Sequence, residues 1–129
     1  MYWIIMLAAV LGGLSVAMGA FAAHGLQNQL SSQSLEVFKT GVQYQFIHAL
    51  ALLAIGVWAV QQPQGWLQVA AIAWLIGIIL FSGSLYGLSI LEWRWLGPVT
   101  PLGGISFIIG WIAVFMAAWR AAAKVSGSL

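Results

Sequence analysis

Residues 2–26, YWIIMLAAVLGGLSVAMGAFAAHGL, contain no Asp, Glu, Lys or Arg. A helix rises ~1.5 Å per residue, and ~20 apolar residues carry it across the hydrocarbon of a bilayer. The stretch therefore predicts a membrane span, at about 3–26. Ala20-Phe21-Ala22 has the small residues of a signal-peptide cleavage point, but the basic segment that opens a signal peptide is missing, so the expectation is a retained first span.

Outward from this helix, three more apolar stretches of spanning length follow, at about 41–60, 66–91 and 101–119. The expected fold is all-α: an integral membrane four-helix bundle forming a single transmembrane domain over 1–129. Composition agrees, since 63% of the residues are hydrophobic and 5% charged, against about 25% charged in soluble domains. The four basic residues, Lys39, Arg94, Arg120 and Lys124, are scattered in sequence. They make no nucleic-acid surface and no polybasic lipid patch. The absence of cysteine removes thiol redox chemistry and thiolate metal sites.

The connections are short. In QQPQG (61–65), Pro63 and Gly65 stop one helix and reverse the chain. The longer LQNQLSSQSLEVFKT (26–40) offers Ser31 as a helix cap, with Leu35, Phe38 and Val42 opposite Glu36, Lys39, Thr40 and Gln43. It predicts a short amphipathic interfacial segment before the second span. Indoles concentrate at headgroup level, so Trp3, Trp58, Trp66 and Trp119 mark one membrane face and Trp93 and Trp95 the other. Trp74 and Trp111 lie deeper and read as packing residues, each needing a partner for its N–H if buried. Basic residues tie two against two across the faces, so they set no orientation.

Helices in lipid associate through small residues that let backbones approach. In the first span Ala8, Gly12, Ser15, Gly19 and Ala22 form one stripe, and Gly13, Ala17 and Ala20 a second on the far side, which predicts neighbours on both. Gly83 and Gly87 have GxxxG spacing. Gly103, Ser106, Gly110 and Ala117 align on the fourth span, with Gly104 beside them. A close-packed bundle with no wide pore follows.

Threading the spans up and down gathers polar groups toward one face: His24 from the first span, Gln43, Tyr44, Gln45 and His48 from the second, and Ser82, Ser84, Tyr86, Ser89 and Glu92 from the third. An unpaired polar group inside the apolar zone costs several kcal/mol, so His48 must have a partner. The cluster is a candidate polar binding site. It reads first as an interhelical hydrogen-bond network that fixes register, and second as a small binding site with titratable histidines. A two-histidine metal or haem site is the third reading, and lacks the further ligands zinc normally requires, so no metal and no cofactor is expected. Glu92 and Arg94, beside Trp93 and Trp95, read as a solvated loop.

GAFAAHGL (19–26), FKTGVQYQFIHALALL (38–53), FSGSLY (81–86) and TPLGGISFIIGW (100–111) together closely resemble the YgdD-like family of small bacterial inner-membrane proteins, a family of unknown function with eukaryotic relatives. The resemblance implies a four-span protein of the bacterial inner (plasma) membrane with no assigned enzymatic activity or cofactor. It places His24, Gln43, Tyr44, Gln45, His48, Ser82 and Tyr86 at matching positions without giving any of them a role. The chain departs at Ala22, where the family usually has Gly, and at Ser31-Ser32-Gln33, where it usually begins Ser-Pro-Glu. The functional expectation is a structural or interaction protein, not an enzyme, with the bilayer, a bound lipid or another membrane protein as partner; no oligomeric state is set. The alternative is a small transporter or proton-coupled exporter using the histidines. That alternative lacks the acidic residue which small multidrug transporters carry in their first span.

Overall fold

The computed structural model describes residues 1–128. Four helices long and apolar enough to cross a membrane make up the molecule: α1 (Tyr2–Leu26), α2 (Ser32–Gln61), α3 (Gly65–Ile90) and α4 (Val99–Gly127). Two of them contain a π-helical turn, Ala22–Leu26 at the end of α1 and Ile78–Ser82 within α3. A 3-10 turn, Arg94–Leu96, leads into α4.

Ser31 caps α2 as the sequence suggests, its Oγ accepting the Ser34 N–H at 3.2 Å. The amphipathic segment is helical but not a separate interfacial element. It forms the first turns of an uninterrupted helix of 30 residues, about 45 Å long and so longer than the ~30 Å hydrocarbon. Those turns stay upright because Phe38 is buried with Ala22 and Leu26, against Leu30, Leu35, Val42 and Tyr86. A helix lying flat in the interface would surrender that contact.

A second, larger core draws on all four spans: Ile4 and Ala8; Leu52, Ile55 and Ala59; Leu67, Ala70, Ala71, Trp74 and Ile78; Phe107, Ala113 and Ala117. The helices join it chiefly in chain order, α1 against α2, α2 against α3, and α3 against α4. The bundle is therefore lopsided, with α1 on the outside.

The small-residue stripes sort accordingly. Ala8, Ser15 and Ala22 are buried, and Gly12 and Gly19 face Ala49 and Val42 of α2. The second stripe has no neighbour. Gly13, Ala17 and Ala20 are exposed and nothing lies within 4 Å of a methyl group built on Gly13, so the expected second neighbour of α1 is absent from the described residues. The GxxxG pair also fails as a helix interface: Gly83 is exposed, and Gly87 is covered by Leu96 of the 3-10 turn. Gly103 abuts the backbone of Phe81, Gly104 its ring, and Gly110 the ring of Trp74. Three close approaches escaped the sequence reading, at Gly41 against Tyr86, Gly56 against Ile4 and Ile5, and Gly77 against Phe107.

Candidate functional site

The polar groups of the spans separate into two networks and a set of outliers. In the first, Gln45 is the hinge. Its Nε2 donates to the Leu11 carbonyl of α1 at 3.0 Å, while its Oε1 accepts from the Tyr86 hydroxyl of α3 at 2.6 Å. One side chain thus ties three spans together. Ser15 also donates to the Leu11 carbonyl, at 2.8 Å. Ser82, in the π-turn, donates to the Gly41 carbonyl of α2 at 2.7 Å. Gly41 lacks a side chain where Tyr86 crosses, since a methyl there would come within 2.8 Å of the tyrosine ring.

His48 belongs to the second network, on the side of α2 that faces α4. Its Nδ1 lies 2.8 Å from the Tyr44 carbonyl, and its Nε2 is 3.2 Å from the indole nitrogen of Trp111. A carbonyl only accepts and an indole N–H only donates. The ring is therefore held as the tautomer protonated on Nδ1, with Nε2 accepting. It stacks on Phe107 at a centroid distance of 3.7 Å and an angle of 9°. Trp74 donates to the Phe107 carbonyl at 3.2 Å, and Ser106 returns a bond to the Ala73 carbonyl at 2.6 Å. Both tryptophans have N–H partners, but only Trp74 is buried; Trp111 is 48% exposed on the outer surface of α4. Near the end of α3, the Ser84 and Thr100 hydroxyls meet at 2.5 Å, whereas Ser89 bonds back to its own helix at Tyr86.

His24, Gln43 and Glu92 stand outside both networks, all three exposed. His24 points away because the π-turn buries its neighbours Ala22 and Leu26 instead. Glu92 ends α3 in the left-handed region, with φ at 55°. It serves the chain reversal into the 3-10 turn and not the cluster. The two histidines accordingly do not share a site, and no grouping of three or more His, Cys, Asp or Glu able to hold a metal occurs among the described residues.

Three openings adjoin these polar groups, one of them a cavity of about 640 Å³ beside Ser84 and Tyr86 under Trp93 and Leu96. A groove of about 480 Å³ between α2 and α4 is lined by Tyr44, His48, Phe81, Phe107 and Trp111. A second, of about 320 Å³ between α1 and α2, has Ser15 and Gly19 on one wall and Lys39, Gln43 and Phe46 on the other. Sequence reasoning missed Leu11, Gly41 and Thr100 as members of the networks. Two of these act through backbone carbonyls, which no side-chain pattern reveals.

Comparison with known proteins agrees with this architecture. The family described as "Protein of unknown function (DUF423)" matches residues 18–104. The UPF0382 membrane protein YwdK of Bacillus subtilis is 46% identical over 116 residues, which cover 88% of this chain and 94% of that one. A UPF0382 membrane protein of Haemophilus influenzae is 43% identical over 108 residues, covering 84% and 86%. The UPF0382 inner membrane protein YgdD of Escherichia coli is 36% identical over 118 residues, covering 92% and 90%. No solved structure matches. With four spans and relatives named as membrane proteins along most of its length, the chain is a multi-pass protein of the bacterial inner membrane and belongs to the DUF423 family of unknown function.

Proposed function

We propose that this protein is a structural or interaction element of the membrane, neither an enzyme nor a transporter, whose polar networks lock helix register while its outer grooves contact lipid or another membrane protein. The observation that carries this reading is the internal pairing of the polar groups: among the described residues no buried side-chain nitrogen or oxygen lacks a hydrogen-bond partner. A catalytic or substrate-coordinating site keeps a donor or acceptor free for its ligand. Here Gln45 and Tyr86 serve one another, and both nitrogens of His48 are occupied. Lys39 and Gln43, on the wall of the groove between α1 and α2, are among the polar residues left for an outside partner.

A photoreactive amino acid at position 43 tests the interaction. Recovery of covalent lipid or of a membrane protein is the expected result, and recovery of neither overturns it. For the transporter alternative, flux into proteoliposomes that depends on His48 would refute the locked network, since a group with both nitrogens engaged offers substrate nothing.

A further inference from the structure

The distribution of charge is one-sided. Glu36 and Lys39 lie in the first turns of α2, and Glu92 and Arg94 follow α3, so on that membrane face each basic residue is matched by an acid. The other face holds Arg120 and Lys124 and neither of the chain's two acids, so the formal net charge of +2 resides there entirely. The folded chain brings these two cations to one place. Spaced i and i+4 on α4, they share a helix face. With Ala121 they form one wall of a cleft of about 120 Å³, whose other wall is Gln62, Pro63 and Gln64 of the α2–α3 connection. The Gln62 Oε1 turns toward the Trp58 indole N–H at 3.4 Å, which leaves its Nε2 hydrogens as donors.

Arg120 has a second neighbour. Its guanidinium carbon lies 5.6 Å from the centre of the Trp66 ring, a cation–π contact at the depth where indoles mark the headgroups. Arg120 also borders a trough of about 440 Å³ that descends α3, with Gln68 near its upper end and Trp66, Val69 and Ile72 forming its apolar wall. Cations and amide donors therefore sit above a trough with an apolar wall, with one arginine common to both. That combination fits a ligand with an anionic head and a hydrocarbon tail.

We propose that this end of the molecule seats an anionic phospholipid, its phosphate between Arg120, Lys124 and the glutamines and one acyl chain along Trp66, Val69 and Ile72. The site deepens the lipid-association reading at the face opposite Glu36 and Glu92, and it uses none of the residues of the polar networks. Two cations are not a polybasic patch. Their effect depends on the cleft that brings them together and on the lack of acidic side chains at that face.

The test is native mass spectrometry of the full-length protein in detergent, titrated separately with phosphatidylglycerol, phosphatidylcholine and inorganic phosphate. Phosphatidylglycerol is expected to be retained at least about tenfold more tightly than phosphatidylcholine, from two basic residues at an anionic surface. The preference should vanish in R120Q/K124Q and persist in K39Q/R94Q, which removes the same charge from the other face. A preference undiminished in R120Q/K124Q overturns the proposal, as does its loss in K39Q/R94Q. Inorganic phosphate that displaces phosphatidylglycerol at comparable concentration makes this a soluble-anion site and overturns the lipid assignment. Ile72→Trp, which fills the trough and touches neither cation, must also weaken lipid retention, and it decides between the outcomes if R120Q/K124Q does not fold. A negative result here leaves the crosslinking outcome at position 43 unaffected, so the two readings fail separately.

Discussion

Gln45 is the residue on which the register of three helices turns, and its energetics are those of a hydrogen bond without water. Bonds between membrane helices average ~0.6 kcal/mol and reach ~1.7, because the unfolded helices also find partners in the bilayer. A bond whose loss strands the other group costs more than one removed with both partners. Tyr86→Phe leaves the Gln45 Oε1 without the hydroxyl that now lies 2.6 Å away, and should destabilise the protein by about 1 kcal/mol. Gln45→Leu also removes the Nε2 donor to the Leu11 carbonyl and should cost more. The double substitution should cost less than the sum, and strictly additive values in denaturant-driven unfolding would show that the two side chains are not coupled. At this scale the sequence was partly legible. A glutamine, a histidine and a tyrosine inside apolar helices announce that partners exist, since leaving them unpaired is costly. Which partners they take was hidden, because Leu11, Gly41 and Tyr44 contribute carbonyls, and every residue owns one of those. His24 was misleading for a physical reason: a polar residue at a helix end meets headgroups and water, so nothing compels it inward.

Among the elements, helix spacing depends on where a missing side chain faces a backbone, and a glycine's position in a motif does not report that. Gly83 and Gly87 have the familiar spacing, yet one is exposed and the other lies under a turn. Gly56, in no motif, is where the backbone of α1 presses on α2. A methyl there would lie 2.8 Å from the Ile5 Cγ1 and 3.2 Å from the Ile5 backbone nitrogen. A side chain can rotate away, but a backbone cannot, so Gly56→Ala must push α1 outward. The expected cost is about 1–3 kcal/mol, the range for overpacking. Gly13→Ala, with open space around it, should stay within about 0.5 kcal/mol of wild type. Thermal or denaturant unfolding of the two variants measures the difference, and equal effects would mean that the α1–α2 contact is not set by Gly56. The existence of four long apolar helices and the Ser31 cap were readable, because length, hydropathy and capping are local properties, whereas the helices of the second and fourth stretches run on past the apolar residues, to Ser32 at one start and Gly127 at one end. The π-turns were not. The Ile78–Ser82 turn lies between Gly77, packed on Phe107, and Ser82, bonded to the Gly41 carbonyl, so its surroundings belong to the neighbouring helices α4 and α2.

At the scale of the whole molecule, an even number of spans puts both ends of the chain and the α2–α3 connection on one face, and the contacts across the bundle fix that arrangement. Arg120 reaches Trp66, and Leu67 shares a core with Ala117, so the end of α4 and the start of α3 cannot lie on opposite sides of a bilayer. The aromatic belts anticipated this pairing from sequence alone. The one-sidedness of charge required the fold, because Arg120 and Lys124 become neighbours of Gln62 and Gln64 only when α4 returns beside the connection. The chain has no cysteine, so single cysteines report topology without background. Gln62→Cys and Ser126→Cys lie at exposed positions on the face of net positive charge, and Asn28→Cys and Glu92→Cys at exposed positions on the other. In sealed vesicles of one orientation, a membrane-impermeant maleimide should label the first pair together and spare the second; in vesicles of the opposite orientation the pattern should invert. Labelling that joined position 62 to position 28, or separated it from position 126, would contradict the number of crossings between them and break the four-span arrangement. It would also remove Arg120 and Lys124 from the α2–α3 connection, and with them the cleft in which the two cations meet.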